Sequence, residues 1–211
     1  MGIEDRKERE KLEMRKLIIK TAMQLFKEEG IDNVSLRGIA EKIEYSPGAI
    51  YSYFKDKGEI IHAIHTEGFE ILYALQKTLD VISNPLERLS KMGALYMKFA
   101  MDNSDYYDLM FIAKGVAAKI YEKQEWDVGQ RSYDYLRNTV KECIEQGFII
   151  DSDVDAATFA MWGLVHGMAS LIIRGRCTMI PEEQIDNIVN GSLGFINKNL
   201  LSNIKSVNQN G

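Results

Sequence analysis

The stretch Ser46-Pro47-Gly48-Ala49-Ile50-Tyr51-Ser52-Tyr53-Phe54 decides the fold of this 211-residue chain. The Ser46 hydroxyl can accept a hydrogen bond from a free amide at a helix start, and Pro47 stands at the first helical position, where a missing N–H costs nothing. Ile50 and Phe54 are four residues apart and should face inward. Because the first turn is almost bare, a phosphate can approach its free N–H groups. The stretch predicts a short helix that suits a DNA groove or an ordinary capped turn in a bundle.

The residues upstream predict two more helices. From Arg15 to Phe26 the apolar residues recur at helical spacing, and Gly30 is a stop signal. Ser35 is the N-cap candidate of a second helix. Its inward positions are Leu36, Ile39, Ala40 and Ile43. Glu44-Tyr45 is then the tight turn before Ser46, and the whole segment predicts a helix-turn-helix head of three helices.

Residues 15–61 resemble the TetR family of bacterial transcriptional regulators. The matching residues are Ile18, Ala22, Leu25, Phe26, Gly30, Ser35, Ile39, Ala40, Ser46, Gly48, Ile50, Tyr51, Tyr53, Phe54 and Lys57. Their spacing fits the family without a gap. The turn departs from it, because the family usually has Gly-Val where this chain has Glu44-Tyr45.

The resemblance implies a cytoplasmic, homodimeric regulator that binds a palindromic operator and acts as a repressor. A small effector would favour a body conformation that lowers DNA affinity. We expect a DNA-binding domain at residues 10–56, a helical regulatory and dimerisation domain at 57–201, and a disordered tail at 202–211.

The expected DNA contacts cluster on the second and third helices. They are Ser35, Arg37, Ser46, Pro47, Gly48, Ala49, Tyr51, Ser52, Tyr53 and Lys57. Arg37 is the candidate for reading a base, since a guanidinium can contact guanine through two hydrogen bonds, although a phosphate or solvent contact is an equal alternative. Tyr51, Tyr53 and Lys57 are expected to bind phosphates.

Composition indicates an all-α protein with a substantial core. Hydrophobic residues make up 45% of the chain, Pro occurs 3 times, and no window alternates like a strand. The net charge is −5, yet residues 1–60 carry 12 basic and 12 acidic side chains, so the excess acid lies outside the head. A DNA-binding head needs a basic face rather than a basic chain. The two cysteines, Cys143 and Cys177, fit buried thiols in a reducing compartment.

Two helices of the body carry more apolar surface than one chain should need. Residues 156–173 are apolar on all sides but too short for a typical membrane span, and the last predicted helix runs from Pro181 to about Leu201. Together they predict a two-fold interface of four helices. Its expected residues are Ala160, Gly163, Gly167, Ser170, Ile185, Ile188, Val189, Ser192, Phe195 and Ile196.

Aromatic and flexible side chains on three body helices suggest an effector pocket. They are Tyr96, Phe99, Met110, Phe111, Trp162 and His166. Trp162 and His166 stand in a Trp-Gly-Leu-Val-His-Gly segment that resembles one class of TetR carboxy-terminal domain. The alternative is that these residues fill the core. No carboxylate accompanies them, so the expected effector is apolar or aromatic and carries no positive charge.

Other functions are less well supported by the sequence. Glu59 and His62 have the Glu-x-x-His spacing of a di-iron bundle, but neither His65 nor His166 has Glu three residues before it, so the second motif is missing. We expect no cofactor, no metal site and no enzymatic activity. A membrane-surface protein is disfavoured by the capped helices and broken charge runs. An activator, or a regulator without a small-molecule effector, remains open.

Overall fold

The structure is a computed structural model that describes residues 2–113 and 127–198. Within these residues the chain is helical and has no strand, which confirms the all-α expectation. The first four helices are α1 Ile3–Glu29, α2 Leu36–Lys42, α3 Pro47–Tyr51 and α4 Lys57–Lys77. A 3-10 turn at Thr78–Val81 precedes α5 Pro85–Asp102, α6 Ser104–Tyr107 and a π-helical turn at Asp108–Ile112. The remaining helices are α7 Asp127–Glu145, α8 Val154–Ile173 and, after a 3-10 turn at Glu182–Gln184, α9 Ile185–Ile196.

The chain forms two compact units, which we call the head and the body. Of the described residues, the head contains 2–68 and 108–113, and the body contains 69–107 and 127–198. The end of the last predicted helix, near Leu201, and the tail 202–211 lie outside the described residues.

The head is built around the apolar faces that the sequence predicts. In α1, Ile18, Ala22, Leu25 and Phe26 are buried, and α2 packs against both α1 and α3. The third helix contributes its one buried residue, Ile50, and Phe54 closes the core behind it. The predicted burial of α2 residues is confirmed for Leu36, Ile39 and Ala40. Ile43 is only half-buried because it is the C-cap residue of the helix. One boundary differs, since α1 begins at Ile3 rather than at Arg15.

The turn between α2 and α3 places Glu44 in a left-handed conformation, with φ of 60°. The Glu44 amide donates to the Glu41 carbonyl at 3.2 Å and the Tyr45 amide donates to the Ala40 carbonyl at 2.9 Å, which is a Schellman motif. The same motif ends α7 and α8, and there the left-handed residue is Gly147 or Gly175. A side chain makes this conformation unfavourable, so Glu44 is strained where the family usually has glycine.

We therefore expect Glu44→Gly to stabilise the free head by about 1 kcal/mol. The variant relieves the strain of the left-handed conformation, and part of that gain is offset because glycine increases the conformational entropy of the unfolded chain. Chemical denaturation without DNA measures the gain. Glu44→Ala is the matched control because it removes the carboxylate and keeps the strain. Equal stabilisation by both variants would assign the effect to charge and contradict the strain.

A histidine is buried in the head core. His65 on α4 is 5% exposed, and burial, reinforced by the neighbouring His62, lowers its pKa to about 4. The native head therefore resists protonation of His65 at pH values where the unfolded chain accepts a proton, below its ordinary pKa of 6.5.

Because the pKa of His65 is lower in the folded head than in the unfolded chain, its uncharged form contributes fully to the free energy of unfolding above pH 6.5. That contribution is lost as the pH falls towards 4. The loss should approach about 3 kcal/mol. Unfolding followed across that pH range should show the decline, and His65→Gln should flatten it. A wild-type profile that stays level between pH 6.5 and 4.5 would contradict a buried, uncharged His65.

The body packs α5 against α7, α8 and α9. Leu89, Val140, Cys143 and Ile149 form a buried cluster at its centre. Burial raises the pKa of the Cys143 thiol to about 11. Both cysteines are free thiols, but Cys177 is only half-buried, so the expectation of two buried thiols is wrong for Cys177. Arg88 of α5 is ion-paired with Glu142 of α7 and donates to the Ile82 carbonyl at 2.9 Å, so charge as well as apolar packing joins these helices.

Helix α8 is much less covered than its composition suggests. Thr158 and Ala169 are its buried residues, whereas Phe159 is 66% exposed and Leu171 is 52% exposed. By length and composition alone, α8 could cross a membrane, the single such helix in the described part of the chain. The apolar surface of α8 that one chain leaves exposed is therefore available to a partner.

Candidate DNA interface and effector cavity

The start of α3 presents backbone amides on an exposed surface. The Ser46 hydroxyl accepts from the Ala49 amide at 3.3 Å, and Pro47 occupies the first turn, as predicted. Ser46, Pro47 and Gly48 are exposed and Tyr51 is 55% exposed. The Ser52 hydroxyl donates to the Ala49 carbonyl at 2.6 Å, which ends the helix after little more than one turn. This geometry leaves room for a phosphate or a base edge at the helix surface.

Helix α2 begins with a matching cap and displays Arg37 beside it. The Ser35 hydroxyl accepts from the Gly38 amide at 3.1 Å. The Arg37 side chain is 78% exposed, and its Nε donates to the Glu41 carboxylate at 3.3 Å. An exposed ion pair of this kind adds little stability, so the guanidinium can exchange Glu41 for a nucleic-acid partner at small cost.

If Arg37 reads a base, Arg37→Ala should cost about 1–3 kcal/mol at one operator position and relax specificity there. Arg37→Lys is the informative control because it keeps the charge but loses the two-pronged geometry. Affinities for a set of single-base operator variants measure both effects. A uniform loss over all sequences, rescued by Lys, would make Arg37 a phosphate contact.

The expectation that Lys57 binds phosphate requires correction. Its ammonium donates to the carbonyls of Ile31, Asp32 and Val34 at 2.5, 3.3 and 2.9 Å. An ammonium has three N–H donors, and all three are engaged by the loop that leads from α1 to α2. Lys57 therefore anchors that loop to the start of α4. Sequence spacing missed this role because the loop lies more than twenty residues earlier in the chain.

The body contains an apolar cavity of about 60 Å³ lined by residues of α4, α5, α7, α8 and α9. Its lining is mainly aliphatic or thioether: Leu72, Leu89, Met92, Leu95, Leu136, Met161, Leu164, Val165, Leu193 and Ile196. The polar groups at its wall are Gln76, Ser90, Tyr96, Trp162 and Asn197, and none of the described residues that line it is charged. The Asn197 amide donates to the Ser90 hydroxyl at 2.6 Å, which joins the end of α9 to α5 beside the cavity.

A polar cluster lies next to this cavity. The Trp162 indole N–H donates to the Tyr96 hydroxyl at 3.2 Å, and that hydroxyl lies 3.2 Å from His166 Nδ1. The hydroxyl of fully buried Tyr107 lies 2.7 Å from the same nitrogen. Burial lowers the pKa of His166 and raises that of Tyr96 to about 12, so the cluster is uncharged at neutral pH.

The structure brings together part of the expected pocket. Tyr96 and Trp162 line the cavity, and His166 is joined to both through the polar cluster. Phe99 is 1% exposed and is not in the cavity lining, while Met110 and Phe111 belong to the head unit. Tyr107 was missed, because nothing in its local sequence separates it from the adjacent Tyr106.

Comparison with known proteins now assigns the family. Residues 18–64 match the family described as bacterial regulatory proteins, tetR family, and residues 89–191 match the tetracyclin repressor-like C-terminal domain. The chain belongs to the TetR family. It is therefore a DNA-binding transcriptional regulator and not an enzyme. No group of three or more metal-binding side chains occurs within residues 2–113 and 127–198.

Individual TetR-family relatives are distant in sequence but similar in fold. The uncharacterized HTH-type transcriptional regulator YobS of Bacillus subtilis is 22% identical over 192 residues, which are 91% of this chain and 95% of YobS. The TetR regulator PfmR of Thermus thermophilus has a TM-score of 0.70 at 20% identity, over 87% of this chain and 98% of PfmR. The fatty acid degradation regulator FadR of Bacillus halodurans has a TM-score of 0.71 at 18% identity, over 90% of this chain and 96% of FadR.

In this TetR-family chain, the residues expected at a dimer interface fall into two groups. A Cβ atom added to Gly163 or Gly167 would meet no described residue within 4 Å, so in this part of the chain the small-residue strip of α8 is uncovered. On α9, Ile188 is 46% exposed and Phe195 is 64% exposed, and both line a shallow groove with Leu164. Val189 is only 8% exposed and packs inside its own chain, so its assignment to the interface is corrected.

Proposed function

We propose that the protein is a homodimeric repressor that binds a palindromic operator and is released by a small effector. Residues 10–56 would bind DNA, and residues 57–201 would hold the effector and the dimer interface. The observation that carries the proposal is that α8 and α9 line an apolar cavity on one side and present exposed apolar residues on another. One pair of helices thus serves both the effector site and the subunit contact.

The apolar surface of α8 and α9 supports the dimer. Phe159 and Leu171 flank the strip formed by Gly163 and Gly167 on α8. The glycines let another helix approach closely, and the large apolar side chains beside them give that helix a surface to pack against. A second copy supplies the same surface in reverse order, which makes the contact self-complementary.

The size of the cavity supports coupling between effector and DNA. Sites for small molecules usually measure about 300–1,000 Å³, whereas this cavity holds about 60 Å³. An effector therefore has to displace the helices around it, and α8 and α9 are among them. Because a ligand shifts an equilibrium only through its preference for one state, binding to the enlarged cavity would favour a dimer geometry different from the DNA-bound one.

The lining supports an uncharged, aliphatic portion in the effector. None of the wall residues that the structure describes is charged, and the aliphatic and Met residues can adapt to a flexible chain. FadR, a structural neighbour, is described as a fatty acid degradation regulator. We therefore favour an aliphatic effector over an aromatic one, with its polar end near Tyr96 or Gln76.

Fluorescence of Trp162 tests the proposal directly. In a Trp126→Phe background Trp162 is the single tryptophan. Genomic DNA fragments that the protein retains would supply an operator, and a panel of aliphatic acids, alcohols and thioesters would supply candidate effectors. An effector should change Trp162 fluorescence and release the operator over one concentration range. An effector that alters fluorescence and tightens operator binding would support an activator. Failure of the whole panel to alter either signal would contradict an aliphatic effector.

A further inference from the structure

Helix α1 extends well beyond the part that matches the family. The family match begins at residue 18, whereas α1 begins at Ile3. Residues 3–17 therefore add about four helical turns, or about 22 Å, to the amino-terminal end of the head. This extension is mostly exposed and densely charged.

The extension carries a row of like charges on one side. Lys7, Lys11 and Arg15 are spaced four residues apart, and the row continues into Ile18 and Ala22, the face of α1 that is buried in the head. Like charges at this spacing destabilise a helix by a few tenths of a kcal/mol per pair. The guanidinium of Arg15 lies 4.3 Å from the centre of the Phe54 ring. Neither Lys7 nor Lys11 forms an ion pair with any residue that the structure describes.

Lys7 and Lys11 share a cleft with residues that flank α3, the helix expected to enter the DNA groove. The cleft, of about 730 Å³, is open to solvent. It is lined on α1 by Lys7, Glu10, Lys11, Glu13, Met14 and Leu17, and opposite them by Tyr45, Ser52 and Tyr53. Of its two acids, Glu10 is neutralised by Arg6, whose Nε donates to it at 2.8 Å. The two lysines thus lie in one cleft with exposed Tyr45 and half-buried Tyr53, the residues before and after α3.

We propose that the amino-terminal extension of α1 is a second DNA contact, in which Lys7 and Lys11 bind phosphates next to the site occupied by α3. A duplex held at α3 brings a closely spaced line of negative charge past this cleft. That charge would favour the row of cations on the side of α1 that continues into the buried face of the head. Contacts of this kind carry no sequence information, so the extension adds affinity and leaves base recognition to α2 and α3.

Two charge-matched double variants of the full-length protein test the proposal. Lys7→Gln with Lys11→Gln removes the row, and Arg9→Gln with Lys16→Gln removes two charges from the opposite side of the same helical extension. Glutamine is a good helix former, so both variants should keep their helical content, which circular dichroism checks. Binding is measured over a range of salt concentrations with the operator and with a duplex of arbitrary sequence.

The first variant should lose about tenfold or more in affinity for both duplexes near 0.1 M salt, and its salt slope should flatten by about two for each bound protomer. The second variant should change little. Equal losses in the two variants would show a general charge effect and overturn the proposal. An unaltered salt slope in the first variant would also overturn it, and so would a loss confined to the operator.

Discussion

Gly167→Leu should convert the protein to monomers and reduce its operator affinity by about 100-fold or more, because a monomer loses the avidity of two linked half-site contacts. The helical content should stay unchanged. Among the residues that the structure describes, a Cβ atom at Gly167 meets nothing within 4 Å, so we expect the added side chain to clash with a second copy rather than inside the monomer. Sedimentation and operator titration measure the two effects.

Phe195→Asp provides an independent disruption of the same surface from α9, and it should also give monomers. The matched control is Val81→Asp, because Val81 is 88% exposed and lies on neither α8 nor α9. It adds the same charge at an exposed apolar position and should remain dimeric. Intact dimers for both Gly167→Leu and Phe195→Asp would place the interface elsewhere.

Lys57→Met should destabilise the head by about 2–4 kcal/mol. The variant removes a charged donor from three carbonyls, and hydrogen bonds to charged groups contribute about 1.5–3 kcal/mol each when geometry and burial are favourable. Two of the three accepting contacts are partly buried. The released loop leads into α2, so operator affinity should fall with head stability. Thermal unfolding of the free protein measures the first effect.

Lys55→Met is the control for Lys57→Met. Lys55 is exposed, lies two residues earlier and carries the same charge. It should leave stability unchanged. If Lys57→Met instead keeps the melting temperature and flattens only the salt dependence of DNA binding, Lys57 is a phosphate contact and the anchoring role is wrong.

Local rules predicted the head well because its signals are close together in the sequence. Ser35 and Ser46 cap α2 and α3 as their positions indicated. Gly30 ends α1 with a positive φ of 85°, for the conformational reason that the sequence implies. The sequence also shows that Glu44 replaces the glycine usual in the family, but it does not show that Glu44 keeps a positive φ.

Contacts between distant segments were harder to predict. The loop anchored by Lys57 and the hydroxyl of Tyr107 on His166 both join residues more than twenty positions apart. Val189 fits the periodic stripe of α9 but faces its own chain, because periodicity gives the sides of a helix without saying which neighbour covers each side. The start of α1 was missed because residues 4–11 are all charged and therefore show no apolar periodicity.

Sequencing of the genomic fragments retained by the wild-type protein and by Gly167→Leu tests the account most directly. We predict that the wild-type protein enriches fragments that share a two-fold symmetric motif, and that Gly167→Leu fails to enrich them while remaining folded. Enrichment of the same motif by the monomeric variant, or wild-type enrichment of sequences without two-fold symmetry, would contradict a dimeric regulator that reads a palindrome with paired heads.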